Sequence, residues 1–353
     1  MSININSGTI PFETQAVNSS KKILLAGKAF TNHKAREIIN PINKEEALSI
    51  YGEGDLYDAY CLLYELGVTN IYTVNCFAES DYIRLIDKLI HYDFDYFIPI
   101  NIYLSDKFYN PIIDENQYYA SYFLEQLNNV ESLTTIIMTE RHASLYEDFD
   151  HYSISMTNIE NEFVNSYTLC KSNLLEQYGN NLNFIYNNLE NVPFGNVILG
   201  ALYCTRNYAE YLNSLQGAKT VYEIDSNDVF GLRAMYFKYN HYSNTTTIEN
   251  TFNFKNTNDI YSNALIDDVI KRTIKEVDLS AFKGKLYNPY VAIQIETEAK
   301  KKLNRLKGSL FRKYEIDKIT FKKTDKTSGY IVASYSIQPY GTLENINIIM
   351  GVV

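Results

Sequence analysis

Residues 345–353 read Asn345-Ile346-Asn347-Ile348-Ile349-Met350-Gly351-Val352-Val353. Ile346, Ile348 and Met350 fall on one face of an extended chain and Asn345 and Asn347 on the other, which is the period of a half-buried strand. Chain ends are ordinarily polar and frayed, so a strand of this kind needs a sheet to join. Ser2-Ile3-Asn4-Ile5-Asn6 repeats the alternation at the other end, and Gly8, Pro11 and Asn18-Ser19-Ser20 make residues 1–20 poor core material. Both ends therefore read as short strands without a local partner. Ile3, Ile5, Ile346, Ile348 and Met350 are the side chains that would seat in another sheet. If that sheet belongs to a neighbouring copy, the chain is a building block of a polymer.

Working inward, Asn288-Pro289 opens a helix over 289–307. Asn288 is its N-cap, Pro289 sits in the first turn, and Gly308 lies just past the end. Ala292, Ile295, Ala299, Leu303 and Leu306 make its apolar stripe. Strands are predicted near 313–322, 329–338 and 343–351, with Asp325-Lys326-Thr327-Ser328-Gly329 as a hairpin loop. A helix over 258–278 precedes them, with Ile260, Ala264, Leu265, Val269 and Ile270 on one face. Residues 240–258 are polar and read as a boundary or an exposed connector.

Further upstream, strand and helix alternate. Ile23-Leu24-Leu25-Ala26 is a buried strand ending at Gly27. One helix starts near Lys44 and a second spans Leu56 to Leu66. In the second, Leu56, Ala59, Tyr60 and Leu63 recur at helical spacing before Gly67 stops it. Strand Ile71–Val74, helix 79–91, strand Tyr96–Ile102, helix 114–127 and strand Thr134–Met138 continue the rhythm. Helix 159–188, strand Asn196–Tyr203 and helix 207–215 extend it. The fold class is α/β with α+β character. The expected organisation is an arm at 1–20, an α/β region at 21–255 with room for two subdomains, a second domain at 256–340, and an arm strand at 341–353.

At 353 residues with 46% apolar composition, a large core and one to three domains are expected. The 32 tyrosines and the absence of tryptophan fit either extensive interfaces or an AT-rich coding composition. Cys61, Cys76, Cys170 and Cys204 have no metal or redox spacing and read as buried thiols. Residues 1–20 have neither a basic region nor an apolar one, so no secretory leader is expected. No apolar run reaches membrane-spanning length.

Catalytic constellations fail on inspection. Ala26-Gly27-Lys28 follows a strand, but a phosphate loop needs a glycine five residues before Gly27 and a hydroxyl after the lysine. Lys22 and Ala29 stand there. Tyr51-Gly52-Glu53-Gly54 places a carboxylate where a phosphate would sit. His33, His91, His142, His151 and His241 form no metal-binding spacing. Asp93 and Asp95 flank Phe94, and Asp148, Asp150 and His151 share a loop-like stretch; solvated loops explain both. No enzymatic activity, cofactor or metal is expected.

Charge is uneven. The net charge is −10, yet residues 300–326 hold eleven Lys and Arg against Glu315, Asp317 and Asp325, a local +8 that leaves −18 elsewhere. At about 100° per residue, Lys301 and Arg305 point almost opposite the Leu303 and Leu306 face, with Lys302 to one side. Such a patch fits an acidic partner or an ordinary solvated face. Nucleic acid fits worst, because no groove-reading motif occurs and the remaining charge opposes docking on a polyanion.

Three blocks, in this order, resemble the contractile tail sheath proteins of myophages and related phage-tail-like particles of the R-type bacteriocin kind. The first is Ile23-Leu24-Leu25-Ala26-Gly27-Lys28-Ala29 with Glu45 through Gly54, Gly67 and Ile71-Tyr72-Thr73-Val74. The second runs from Asn196-Val197-Ile198-Leu199-Gly200-Ala201 to Asp225. The third is Leu286-Tyr287-Asn288-Pro289 onward, with Leu306-Lys307-Gly308-Ser309-Leu310, Gly329-Tyr330-Ile331-Val332 and Ile337-Gln338-Pro339-Tyr340-Gly341. Residues 1–20 do not clearly show the Gly-Val-Tyr-Val-like opening strand frequent in the family.

The resemblance implies a multi-domain tail-sheath-like fold with mixed sheets flanked by helices and extended terminal arms. It implies helical self-polymerisation through those arms around an inner tail tube, and contacts with baseplate and tail terminator proteins, without nucleic acid or membrane insertion. The 256–340 domain would face the tube, with Lys301, Lys302 and Arg305 meeting its acidic surface. The location implied is the contractile tail of a virion assembled in the host bacterial cytoplasm. Alternatives are a terminator or baseplate ring subunit of related fold, and a cytosolic α/β enzyme with Gly27 and Gly52–Gly54 lining a pocket.

Overall fold

Ile23-Leu24-Leu25-Ala26-Gly27 forms strand β1, every residue of which is buried. The apolar run has no alternation because helices cover both of its faces. The computed structural model describes residues 21–31, 34–89, 92–111, 113–129, 132–140, 181–190, 192–205, 215–216, 218–221, 235–242, 244–249, 264–277, 280–282, 288–308, 311–323 and 329–339. The described residues up to Ala264 form one compact unit, and those from Leu265 onward a second.

In the first unit β1 (Ile23–Gly27) is followed by β2 (Ile38–Ile39), α1 (Lys44–Tyr51), α2 (Asp55–Glu65), β3 (Ile71–Asn75), α3 (Glu79–Leu89), β4 (Tyr96–Pro99), β5 (Lys107–Asn110), β6 (Glu115–Tyr118), α4 (Tyr119–Asn129) and β7 (Thr135–Thr139). Then come β8 (Leu182–Tyr186), α5 (Gly195–Thr205), β9 (Leu215–Gln216), β10 (Met235–Asn240) and β11 (Thr245–Glu249). Among the described residues, nine strands make one sheet in the order β2-β3-β1-β4-β7-β8-β10-β11-β9. The six from β3 to β10 are parallel, and β2, β11 and β9 add antiparallel at the edges.

The pleat sends alternate residues of the parallel strands to opposite layers. Leu24, Ala26, Phe97, Ile136, Met138 and Phe184 pack with Tyr82, Leu85 and Leu89 of α3 and Tyr119, Phe123 and Leu127 of α4. The other face meets α5, which approaches so closely that a Cβ on Gly200 would lie 2.5 Å from Ile98 Cδ1. Only glycine fits there with the strand side chains where they are.

Several predicted elements came out differently. Asn196–Tyr203, expected as a strand, lies within helix α5, whose residues from Gly195 to Cys204 are all buried. A uniformly apolar run has no period to separate a buried strand from a buried helix. The last part of predicted helix 159–188 is strand β8, buried throughout between β7 and β10. Predicted helix 114–127 begins only at Tyr119, because Asp114 turns at φ +58° and closes the β5–β6 hairpin that seats Phe108 and Tyr118 in the core. Strand β4 stops at Pro99, short of the expected Ile102, and Asn101 turns at φ +60°. Residues 245–249, read as part of a polar connector, are strand β11, paired in register with β10. Residues 343–351 and most of 207–215 lie outside the described residues.

The second unit contains α6 (Ala264–Glu276) from its second residue on, a 3-10 turn at Ser280–Phe282, α7 (Pro289–Leu306), β12 (Phe311–Lys323) and β13 (Gly329–Pro339). β12 and β13 form a long antiparallel ribbon with register shifts between Phe311 and Lys313 and between Ile316 and Lys318. A two-stranded ribbon is marginal by itself in water. Here Tyr314, Ile316 and Ile337 pack on a core of Val269, Val277, Ala299, Leu303 and Phe311.

Phe97 is fully buried and in edge-to-face contact with Phe123 at 5.2 Å between ring centres. Replacing it with alanine should lower unfolding free energy by about 3–5 kcal/mol in urea titration. Phe30→Ala, at a residue left 80% exposed, should change it by less than about 0.5 kcal/mol. Equal effects would contradict the layer assignment of β4.

Candidate assembly surface

Helix α7 begins because Asn288 is extended and its side chain accepts the Val291 N–H at 2.9 Å, while Pro289 occupies the first turn without wasting a donor. It ends at Lys307 and Gly308, where a φ of +91° turns the chain and Gly308 N–H donates to the Phe311 carbonyl at 2.9 Å. Val291, Ile295, Ala299 and Leu303 face inward. Tyr314 reaches from β12 to donate to Asn304 Oδ1 at 2.9 Å, tying the ribbon to the last turns of the helix.

The opposite face is open. Lys301 and Arg305 are both exposed and share it, as the helical projection predicts. Lys302 is half-buried on the flank, nearer the inward face, so it does not join the other two. Lys301 sits 3.9 Å from Glu298, an exposed pair that adds little stability. Glu296 hydrogen-bonds Lys300 and raises its pKa above the ordinary lysine value. Among the described residues Arg305 and Lys307 join no ion pair.

One feature of this face lay outside the reading by charge. Tyr290 and Ile293 are 68% and 62% exposed, and Thr297 is exposed one turn further on. The signal was available by carrying the projection back to the helix start, since 290, 293, 297 and 301 lie on one stripe.

The ribbon offers a second feature. Among the described residues, no strand pairs with the outer edge of β12 or of β13. Open edges carry unpaired N–H and C=O groups that accept an added strand. The arm residues Ile3, Ile5, Ile346, Ile348 and Met350 lie outside the described residues.

In the first unit a crevice of about 530 Å³ opens beyond the carboxyl ends of β1 and β4, where the strand order changes direction. Ligands bind at such points in many α/β proteins. Gly54, Lys28, Asn101 and Lys107 line it, with the carboxylates of Glu53, Asp55 and Asp106. Gly27 is buried in β1, and Gly52 caps α1 at φ +69°; neither lines the crevice. No helix starts directly after Gly27, and the Ala29 N–H is taken by Asn75 Oδ1 at 3.0 Å, so the loop makes no phosphate cradle. Asp95 accepts the Lys22 N–H at 2.7 Å, a structural tie between two strands. Among the described residues no group of His, Cys, Asp and Glu could hold a metal ion, and no helix is long and apolar enough to cross a membrane. Cys61, Cys76 and Cys204 are thiols. Burial pushes Cys76 far above the ordinary thiol range and Cys61 up by less.

No family model matches the chain, and no curated protein is similar to it in sequence. Its fold is that of contractile tail sheath proteins. A chain of the anti-feeding prophage baseplate superposes with a TM-score of 0.62 at 10% identity, covering 94% of this chain and 93% of its own. The helical sheath of the same prophage in its contracted state gives 0.60 at 10% identity, with coverages of 94% and 93%. The sheath tail protein of Listeria innocua gives 0.58 at 7% identity, with coverages of 89% and 94%. The likeness spans nearly the whole chain at an identity where only backbone architecture is shared.

A raised thiol pKa means less thiolate at any given pH, hence slower alkylation. At pH 8, iodoacetamide should label half-buried Cys61 in the folded protein and leave Cys76 unmodified until urea is added, as read by peptide mass spectrometry. Comparable native rates at both would contradict the burial of the β3 end.

Proposed function

We propose that this chain is the structural subunit of a contractile tail sheath. In this role it polymerises helically around an inner tube and contracts to drive the tube through a cell envelope. The observation that carries the reading is the match in fold over nearly the full length to a helical sheath in its contracted state and to a sheath tail protein, with a baseplate chain of the same prophage as the former beside them. The role is mechanical and not enzymatic.

Strand addition supplies the links between copies. The segments 2–6 and 345–350, alternating in polarity, would add to open edges such as those of β12 and β13, where main-chain bonds hold and side-chain pockets set register. Such links stay joined while rigid units rotate. Contraction is then a rigid-body switch from a metastable extended packing to a second packing, with stored free energy in place of nucleotide hydrolysis. The 256–340 domain faces the tube through α7. Lys301 and Arg305 meet acidic groups across an exposed polar contact, weak enough to be released; Lys302 contributes from the flank. Baseplate and terminator proteins bound the polymer, which works in the contractile tail of a virion or tail-like particle after assembly in the bacterial cytoplasm.

Negative-stain electron microscopy of the purified protein at rising concentration should show long hollow tubes. Closed rings would favour a terminator or baseplate ring, and dispersed particles at every concentration would contradict the sheath reading. Deleting 341–353 should leave a folded protein with an unchanged melting transition that forms no tubes. Tubes from the truncated chain would rule out strand donation by that segment.

A further inference from the structure

Two regions of opposite charge in this chain are left uncompensated. Residues 42–66, which span α1 and α2, hold Glu45, Glu46, Glu53, Asp55, Asp58 and Glu65 against Lys44 alone. Lys44 is already engaged: its ammonium donates to Glu65 at 2.5 Å and lies over the Tyr64 ring. Glu45, Glu53, Asp55 and Asp58 are exposed, and among the described residues they join no ion pair. Partial burial, with the charges of Asp55 and Glu53, holds the Asp58 carboxyl above its ordinary range, so these groups crowd one another. Ile42, Leu48 and Tyr64 are exposed in the same stretch, which a face turned only to solvent does not need. The positive region is the turn from α7 into β12. Lys307 and Arg312 are exposed there and join no ion pair among the described residues. The turn at Gly308 and a backbone bridge between Lys307 and Phe311 keep its two ends together.

We infer that the α1–α2 face of one copy receives the α7–β12 turn of a second copy, with Glu53 and Asp58 meeting Lys307 and Arg312. The inference rests on the reading of this chain as a self-polymerising subunit. Charge and symmetry select the occupant. An unrelated basic protein would satisfy the helix pair alone, and an unrelated acidic one the turn alone; a second copy satisfies both. Because the two patches lie at different places on the chain, the contact is heterologous and repeats head to tail, which generates a ring or a helical filament. The fold matches a chain that stands in a helical sheath. Exposed charge pairs hold weakly, so this contact does not carry the polymer. It steers the approach of each copy and fixes its register, and strand addition then makes the lasting link.

The test is a charge exchange between two full-length variants, Glu53→Lys/Asp58→Lys and Lys307→Glu/Arg312→Glu. Self-association is followed by sedimentation velocity over a concentration series at about 50 mM and about 500 mM NaCl. At low salt each variant alone should need about tenfold more protein than the wild type to associate, because like charges then face one another. An equimolar mixture of the two should associate at the wild-type concentration, since each reversed face meets a face reversed in the opposite sense. At high salt the differences should shrink. All four side chains are exposed, so melting transitions should stay near that of the wild type. Where a reversal does lower melting, Glu53→Gln/Asp58→Asn removes the charge without reversing it and should need about threefold more protein at low salt.

A mixture that associates no better than its two folded components overturns the contact. So does an acid-side variant that associates like the wild type at low salt. Hollow tubes from every variant at the wild-type concentration would remove the contact and leave the sheath reading in place. Rescue in the mixture, together with closed rings of the wild type in negative stain, would keep the contact and remove the sheath reading.

Discussion

The first unit depends on the burial of β1 between β3 and β4. All five of its residues are buried, and β3 and β4 both pair with it in parallel. A strand placed this way has no solvent face and no free edge, so neighbours must come from crossovers that lay helices on both sides. That requirement puts α3 and α4 on one face and α5 on the other, and it brings the chain back to extend the sheet through β7, β8 and β10. It also creates the crevice beyond β1 and β4. The crevice carries carboxylates from two separate places, Glu53 and Asp55 at the start of α2 and Asp106 from the loop before β5, which makes it a poor host for the phosphate that such places often hold.

The second unit works under the opposite constraint. Its ribbon has too few strands to be stable alone, and it gains stability by laying Tyr314, Ile316 and Ile337 on the helices. Among the described residues its outer edges have no paired strand. Edges of that kind can take an added strand. Helix α7 has a part in both arrangements. Its inward stripe, Val291 to Leu303, forms much of the core under the ribbon, and its outward stripe presents Tyr290, Ile293, Lys301 and Arg305.

Where the pattern was strong, the sequence reading and the structure agree. Asn288, Pro289 and Gly308 bracket α7, and Leu56, Ala59, Tyr60 and Leu63 are buried on α2 as their spacing predicts. Disagreement falls where the local pattern carries no period. Asn196 to Tyr203 is apolar throughout and reads equally well as strand or helix; packing against Ile98, Ile23 and Ile137 around Gly200 decides for the helix. Glu115-Asn116-Gln117 has helical composition, and the positive φ at Asp114 with the burial of Phe108 and Tyr118 turns it into a hairpin. The polar threonines at 245–247 read as a connector because β11, next to the end strand β9, has few apolar side chains to show.

By itself the sequence determined the alternation of strands and helices up to β7, the ends of α2 and α7, Ile295, Ala299 and Leu303 of the inward stripe of α7 (Val291, not the expected Ala292, completes it), and the concentration of positive charge at 300–326. These are local properties, set by caps, by side-chain period and by formal charge within a few residues. Tertiary structure alone decided the order of the nine strands among the described residues, the helical state of α5 and the strand state of β8. Each of those depends on which surface a segment buries against another far along the chain, and that energy is absent from any short window of sequence.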